Sequence, residues 1–148
     1  MVLRSTDAKT KEGVIEELVD VLAGNGDLLD RDRVLTAVLD REKTRTTGIG
    51  NGLALPHGKC SGVSELVMAI GKADPGVDFQ SIDSKPVTIV ILLASPLDKT
   101  GPHIQALARI SRLMSVDAFR NKLNAAGTPE QVFQAIRDHE ERELQEKQ

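Results

Sequence analysis

Leu53-Ala54-Leu55-Pro56-His57-Gly58 sets one histidine between a proline and a glycine, and a second, His103, stands shortly after another apolar run. A neutral imidazole is nucleophilic near neutral pH, and no other side chain changes charge so readily there. Pro56 has a fixed φ and pushes Leu55 toward extended backbone, while Gly58 lets the chain turn away after the ring. His57 is therefore expected at the carboxyl end of a short strand. Upstream, Gly48, Gly50 and Gly52, with Asn51 inside the turn, indicate backbone passing close to another backbone, a ligand or a partner. These glycines do not match the dinucleotide fingerprint, and the chain has no Gly-x-x-x-x-Gly-Lys-[Ser/Thr] loop.

His103 falls in the first turn of an expected helix. A helix amino terminus offers free N–H groups and partial positive charge, an anion site that also disfavours imidazolium and suits a phosphoryl group. Both histidines follow strands, where open α/β sheets place their ligands, so the two rings converge if those strands are parallel and close. Plainer readings exist for each residue. A histidine can end a strand for structural reasons, or lie exposed in a first turn. Asn51 can simply shape its turn, and His139 stands in a charged, solvated tail. A different chemistry is a metal site made of His57, Cys60 and His103, although one H-x-x-C pair is a weak zinc signal.

Several elements must position these groups. Val14, Leu18, Val21 and Leu22 fall at helical spacing before Gly24-Asn25-Gly26, which supplies a stop. A second helix, with Asp30 as N-cap, places Val34, Leu35, Val38 and Leu39 inside and brings Arg41 near its end. Leu66 to Ile70 and Val87 to Ala94 are short apolar runs rich in β-branched residues, as central strands covered on both faces require. Asp74-Pro75-Gly76 reads as the turn after the first run, and Asp83 to Pro86 leads into the second. A third helix carries His103, with Ile104, Leu107, Ile110, Leu113 and Met114 as its core positions. Thr128-Pro129-Glu130-Gln131 opens a last helix through Val132, Phe133 and Ile136, and residues 139–148 form a solvated or frayed end. The expectation is one α/β domain spanning 1–148, with a mixed, mostly parallel central sheet flanked by helices.

Composition narrows the function. At 148 residues, 40% hydrophobic and 28% charged, the chain has the make-up of a soluble globular domain, with neither a signal peptide nor a membrane-spanning run. A cytoplasmic location is expected. One cysteine precludes an intrachain disulfide framework. Nineteen basic against 22 acidic residues, with no Trp or Tyr, argue against nucleic acid as a partner.

The core Gly48-Ile49-Gly50-Asn51-Gly52-x-Ala54-x-Pro56-His57-Gly58, with Arg41-Glu42 upstream and the Pro86-Val87 strand and His103 downstream, resembles the IIA domain of the bacterial phosphoenolpyruvate-dependent sugar phosphotransferase system, of the fructose, mannitol and nitrogen-regulatory type. The resemblance covers most of the chain. It implies that His57 accepts a phosphoryl group from the histidine of the small carrier HPr or a relative of it. The group then passes to a cysteine of a IIB domain, or the phosphorylation state is read by a regulatory protein. It also implies that Arg41 and His103 line the site, and that Gly50, Asn51, Gly52, Pro56 and Gly58 support it. Such a protein is a phosphoryl-transfer intermediate rather than a multiple-turnover enzyme acting on a small molecule, and the scheme requires no metal and no cofactor. Mannitol-type relatives carry an acidic residue where this chain has Asn51. Lacking a IIB cysteine loop and a membrane segment, the chain is expected to act through separate proteins and to lie closer to the nitrogen-regulatory or fructose type. A module that only docks to a transporter or regulator is the other reading. Leu53 and Leu55 are candidates for an apolar docking patch.

Overall fold

A strand that is apolar on both faces persists only where both faces are covered. The computed structural model describes residues 2–6, 10–125, 131, 134, 135, 137, 138 and 141. In chain order its elements are β1 (Val2–Thr6), α1 (Lys11–Gly24), α2 (Arg31–Thr44), β2 (Gly48–Gly50), β3 (Leu53–Ala54), β4 (His57–Lys59), β5 (Val67–Val77), β6 (Val87–Ser95), α3 (Thr100–Met114) and α4 (Asp117–Ala125). The six strands form one sheet in the order β1-β5-β6-β3-β2, with β4 also paired to β6. Pairing is parallel for β1–β5, β3–β6 and β4–β6, and antiparallel for β2–β3 and β5–β6. The expected mixed sheet with helical cover is what forms, and β5 and β6 are central in it.

Successive residues of β6 serve opposite layers. Val90, Leu92 and Ala94 pack with Val14, Leu18, Val34 and Val38 of α1 and α2. Ile89 and Ile91 pack with Ile110, Leu113 and Met114 of α3 and with Phe119 and Leu123 of α4. The period-2 alternation of a strand thus assigns each β6 side chain to one of two helical layers. Helix starts follow their caps: the Thr10 side chain accepts from Gly13 N at 3.1 Å, and Asp30 accepts from Arg33 N at 3.2 Å. After α1, Asn25 is the C-cap and Gly26 takes φ +81°.

Some expectations need correction. Asp74-Pro75-Gly76 is not a turn but part of β5, where the pairing register shifts between Lys72 and Val77. A break in the ladder is where a strand tolerates a proline, which has no N–H to donate. In α1 the buried stripe is Val14, Ile15, Leu18, Val19 and Leu22, with Val21 only half-buried. On α3, Ile104 is 60% exposed, so the inward face runs through His103, Ile110, Leu113 and Met114. Strands β1, β2 and β4 do not stand out in the sequence. β2 and β4 are two to three pairs long and contain glycine, β1 runs for five pairs through the half-polar stretch Val2-Leu3-Arg4-Ser5-Thr6, and all three owe their form to the neighbours they pair with. Of the last expected helix, Gln131, Gln134 and Ala135 are helical, whereas Thr128, Pro129, Glu130, Val132, Phe133 and Ile136 lie outside the described residues, as do His139 and, Glu141 apart, the expected tail.

Candidate functional site

His57 does not end a strand; it begins β4, which continues along β6 in parallel with His57 opposite Leu93 and Lys59 opposite Ser95. Pro56 holds the join: it is buried, and its carbonyl accepts from Leu93 N at 3.0 Å. Gly58 serves close approach rather than a turn. A Cβ there would lie 3.1 Å from the backbone of Ala37 and Val38, so its absence lets β4 rest against α2. Alternation then sends His57 to the α3 side of the sheet. His103 reaches the same place from α3, and the two ring centroids are 5.5 Å apart, tilted by 55°. The parallel pairing of β3 and β4 with β6 is the topological fact that brings the two rings together.

Each ring is held by one nitrogen. The Nδ1 of His57 is 2.8 Å from the Leu55 carbonyl oxygen. A carbonyl only accepts, so Nδ1 carries the hydrogen and Nε2 keeps its lone pair. The ring is half-buried, and its pKa is lowered below 6.5, first by desolvation and then by the Arg41 charge, against the raising effects of the Leu55 hydrogen bond and Glu42. His103 is 4% exposed, which removes the reading of a solvent-facing first-turn residue. Its Nδ1 lies 2.6 Å from Ser95 Oγ. Its pKa is also lowered, by desolvation first and by the neighbouring His57 and Lys59 charges. Both rings are therefore neutral at neutral pH.

Arg41 is half-buried in the last turn of α2, where its Nη1 donates to the Arg45 carbonyl at 2.9 Å. Its charge is felt at His57. Next to it, buried Glu42 accepts from Thr47 N at 3.1 Å and from Thr47 Oγ1 at 2.5 Å, and pairs with Lys11 at 3.6 Å. This carboxylate ties the end of α2 to the entry of β2. Glu42 appeared in the sequence only as a neighbour of Arg41, because nothing in its spacing announces burial. Lys59 and Ser95 were also missed. Lys59 Nζ reaches Thr100 Oγ1 at 3.3 Å, at the start of α3, which has no side-chain cap of its own.

The glycine turn stands elsewhere. Gly50 and Gly52 have φ of +98° and +78°, and Asn51 lies between them at +58°. Leu53 pairs with Ile89 whereas His57 pairs with Leu93, so the turn precedes the histidine by four positions along β6, roughly 13 Å at strand rise. Asn51 N donates to Asp83 Oδ2 at 3.0 Å, and Cβ atoms at Gly50 and Gly52 would meet Asp83 and Thr88. The close approach is to the chain's own segment 81–88, and Asn51 shapes the turn. Asp83, held by the Lys85 and Asn51 amides, has a lowered pKa.

Other expectations separate. Cys60 packs against the core on the α1/α2 side, so it does not join the two histidines, and among the described residues no three His, Cys, Asp or Glu side chains gather as metal ligands. Leu53 and Leu55 are buried; the exposed apolar side chains flanking His103 in sequence are Leu97, 64% exposed, and Ile104. A cavity of about 820 Å³ lies between the sheet and α3 and α4, lined by residues such as Met68, Ile91, Leu113 and Phe119. Neither histidine lines it. No described helix is long and apolar enough to cross a membrane.

Residues 1–139 match the family model described as "Phosphoenolpyruvate-dependent sugar phosphotransferase system, EIIA 2". The fructose-specific EIIABC component of Bacillus subtilis is 36% identical over 90% of the chain, which spans 21% of that longer protein. The fructose-specific EIIA component of Haloferax volcanii is 37% identical, with 83% of this chain and 80% of the relative covered. Among solved structures, the nitrogen regulatory protein IIA-Ntr from Neisseria meningitidis superposes with a TM-score of 0.79 at 26% identity, over 90% of this chain and 91% of that one.

Proposed function

We propose, since the chain belongs to the phosphoenolpyruvate-dependent sugar phosphotransferase system EIIA 2 family and is therefore a phosphotransferase-system component, that His57 Nε2 is the atom that carries the phosphoryl group. The observation that carries this reading is the His57 Nδ1–H bond to the Leu55 carbonyl, beside a second buried imidazole. That bond leaves one nitrogen of the ring nucleophilic and aims it away from the backbone.

In the forward step the Nε2 lone pair attacks the phosphorus of the phosphohistidine on an HPr-type donor. A new N–P bond forms, the donor's N–P bond breaks, and its electron pair returns to the donor ring. The His57 hydrogen stays on Nδ1, so the phosphorylated ring carries positive charge that the Leu55 carbonyl stabilises. A charged ring is a good leaving group, which suits onward transfer. Negative charge on the equatorial phosphoryl oxygens needs donors fixed in advance. Arg41, His103, Lys59 and the uncapped amides of α3 are the groups nearest to that task. In the onward step a thiolate of a IIB domain attacks phosphorus and the electron pair returns to His57 Nε2, or a regulatory protein reads the phosphorylated state. Relatives named as fructose-specific and as nitrogen regulatory support both routes.

The test is ¹⁵N–³¹P coupling in protein labelled on its histidines and phosphorylated by an HPr-type donor. Coupling to Nε2 of His57 is expected. Coupling to Nδ1, or to another histidine, would overturn the assignment.

A further inference from the structure

We propose that Ser95 is a positioning residue that locks His103 in the tautomer with hydrogen on Nε2. Ser95 is the last residue of β6 and is fully buried. Among the described residues its hydroxyl has one partner, His103 Nδ1 at 2.6 Å. A hydroxyl has one hydrogen to place, and a buried donor left unmade is costly. Were Nδ1 the donor, the Ser95 hydrogen would find no acceptor among the described residues. The hydroxyl therefore donates, Nδ1 accepts, and the hydrogen of the neutral ring sits on Nε2.

The two rings, 5.5 Å apart, are thereby fixed in opposite tautomers by two neighbours of different chemistry. A carbonyl that can only accept sets His57 with its lone pair on Nε2. A hydroxyl that must donate sets His103 with a hydrogen on Nε2. The first ring can bond phosphorus, and the second can donate to a phosphoryl oxygen rather than repel it. The use of this arrangement rests on the phosphocarrier reading; the tautomer itself does not.

The experiment is long-range ¹H–¹⁵N correlation of the histidine rings in the unphosphorylated protein, above the pH at which either ring protonates. His103 is expected with protonated Nε2 and bare Nδ1 in the wild type. In Ser95→Ala the two forms should mix, and phosphoryl transfer from an HPr-type donor should slow severalfold with His57 still the acceptor. A wild-type His103 with hydrogen on Nδ1, or an unchanged tautomer in Ser95→Ala, would overturn the proposal, and the wild-type spectrum decides even where the variant fails to fold. Absence of phosphorylation in a wild type that shows the expected tautomer would sink the carrier reading and leave the Ser95 assignment standing.

Discussion

His57 and His103 carry the same ring but meet different partners, and their chemistry follows from that difference. Burial and the Arg41 charge hold His57 below 6.5, so its lone pair survives into mild acid. The acid limb of the transfer rate should therefore lie below 6.5 and track the His57 titration followed by NMR. Arg41→Gln removes a charge that lowers this pKa, so the limb should move up toward 6.5. It also removes a donor, which costs up to about 10²–10³-fold in rate where the donor acts on developing charge. A limb that stays in place would show that Arg41 does not act on His57. Linkage gives a second expectation. Both histidines have folded pKa values below the unfolded value, so between those values the unfolded chain binds more protons, and stability falls as pH drops below 6.5. Denaturant midpoints on either side of 6.5 check this, and the double variant His57→Ala, His103→Ala should flatten the trend. His57 was legible as a candidate because proline and glycine frame it. Ser95 and Glu42 were not, since burial and partners, not residue type, single them out.

Gly58 shows how a local signal can be right about the residue and wrong about the reason. The sequence suggests a glycine for turning, yet the structure uses it for contact, with α2 backbone 3.1 Å from where a Cβ would stand. Helix backbone cannot move aside as a flexible side chain can, so Gly58→Ala should destabilise by about 1–3 kcal/mol, as overpacking typically does. Thermal melting measures the loss, and an unchanged melting temperature would mean that β4 and α2 are less tightly apposed. Ser81 offers the opposite expectation. Its hydroxyl is buried with no partner among the described residues, so Ser81→Ala should be neutral or stabilising by about 1 kcal/mol. The helices with strong stripes and caps, and the apolar runs of β5 and β6, were legible as elements. The short β2 and β4 were not, because three residues carry no periodicity and each takes its order from the strand it pairs with, β3 for β2 and β6 for β4.

At the scale of the whole molecule, alternating helices and apolar strands made an α/β sheet legible, but not the pairings that matter most. The convergence of His57 and His103 depends on β3 and β4 both running parallel to β6, a long-range choice with no local signature. Surface was likewise hard to read: Leu53 and Leu55 are in the core, while Leu97 and Ile104 face solvent on either side of His103. Exposed apolar residues beside the histidine pair suit a transient partner. Ile104→Asp is therefore expected to slow phosphoryl transfer from an HPr-type donor while leaving the His57 tautomer and the melting temperature unchanged. Equal rates would place the docking face elsewhere. The most direct test of the carrier assignment is intact mass after incubation with phosphoenolpyruvate, enzyme I and HPr, comparing wild type with His57→Ala. An acid-labile phosphoryl adduct on the wild type alone is the expected result; an equal adduct on His57→Ala, or none on the wild type beside demonstrably phosphorylated HPr and a paralogous donor, would contradict it.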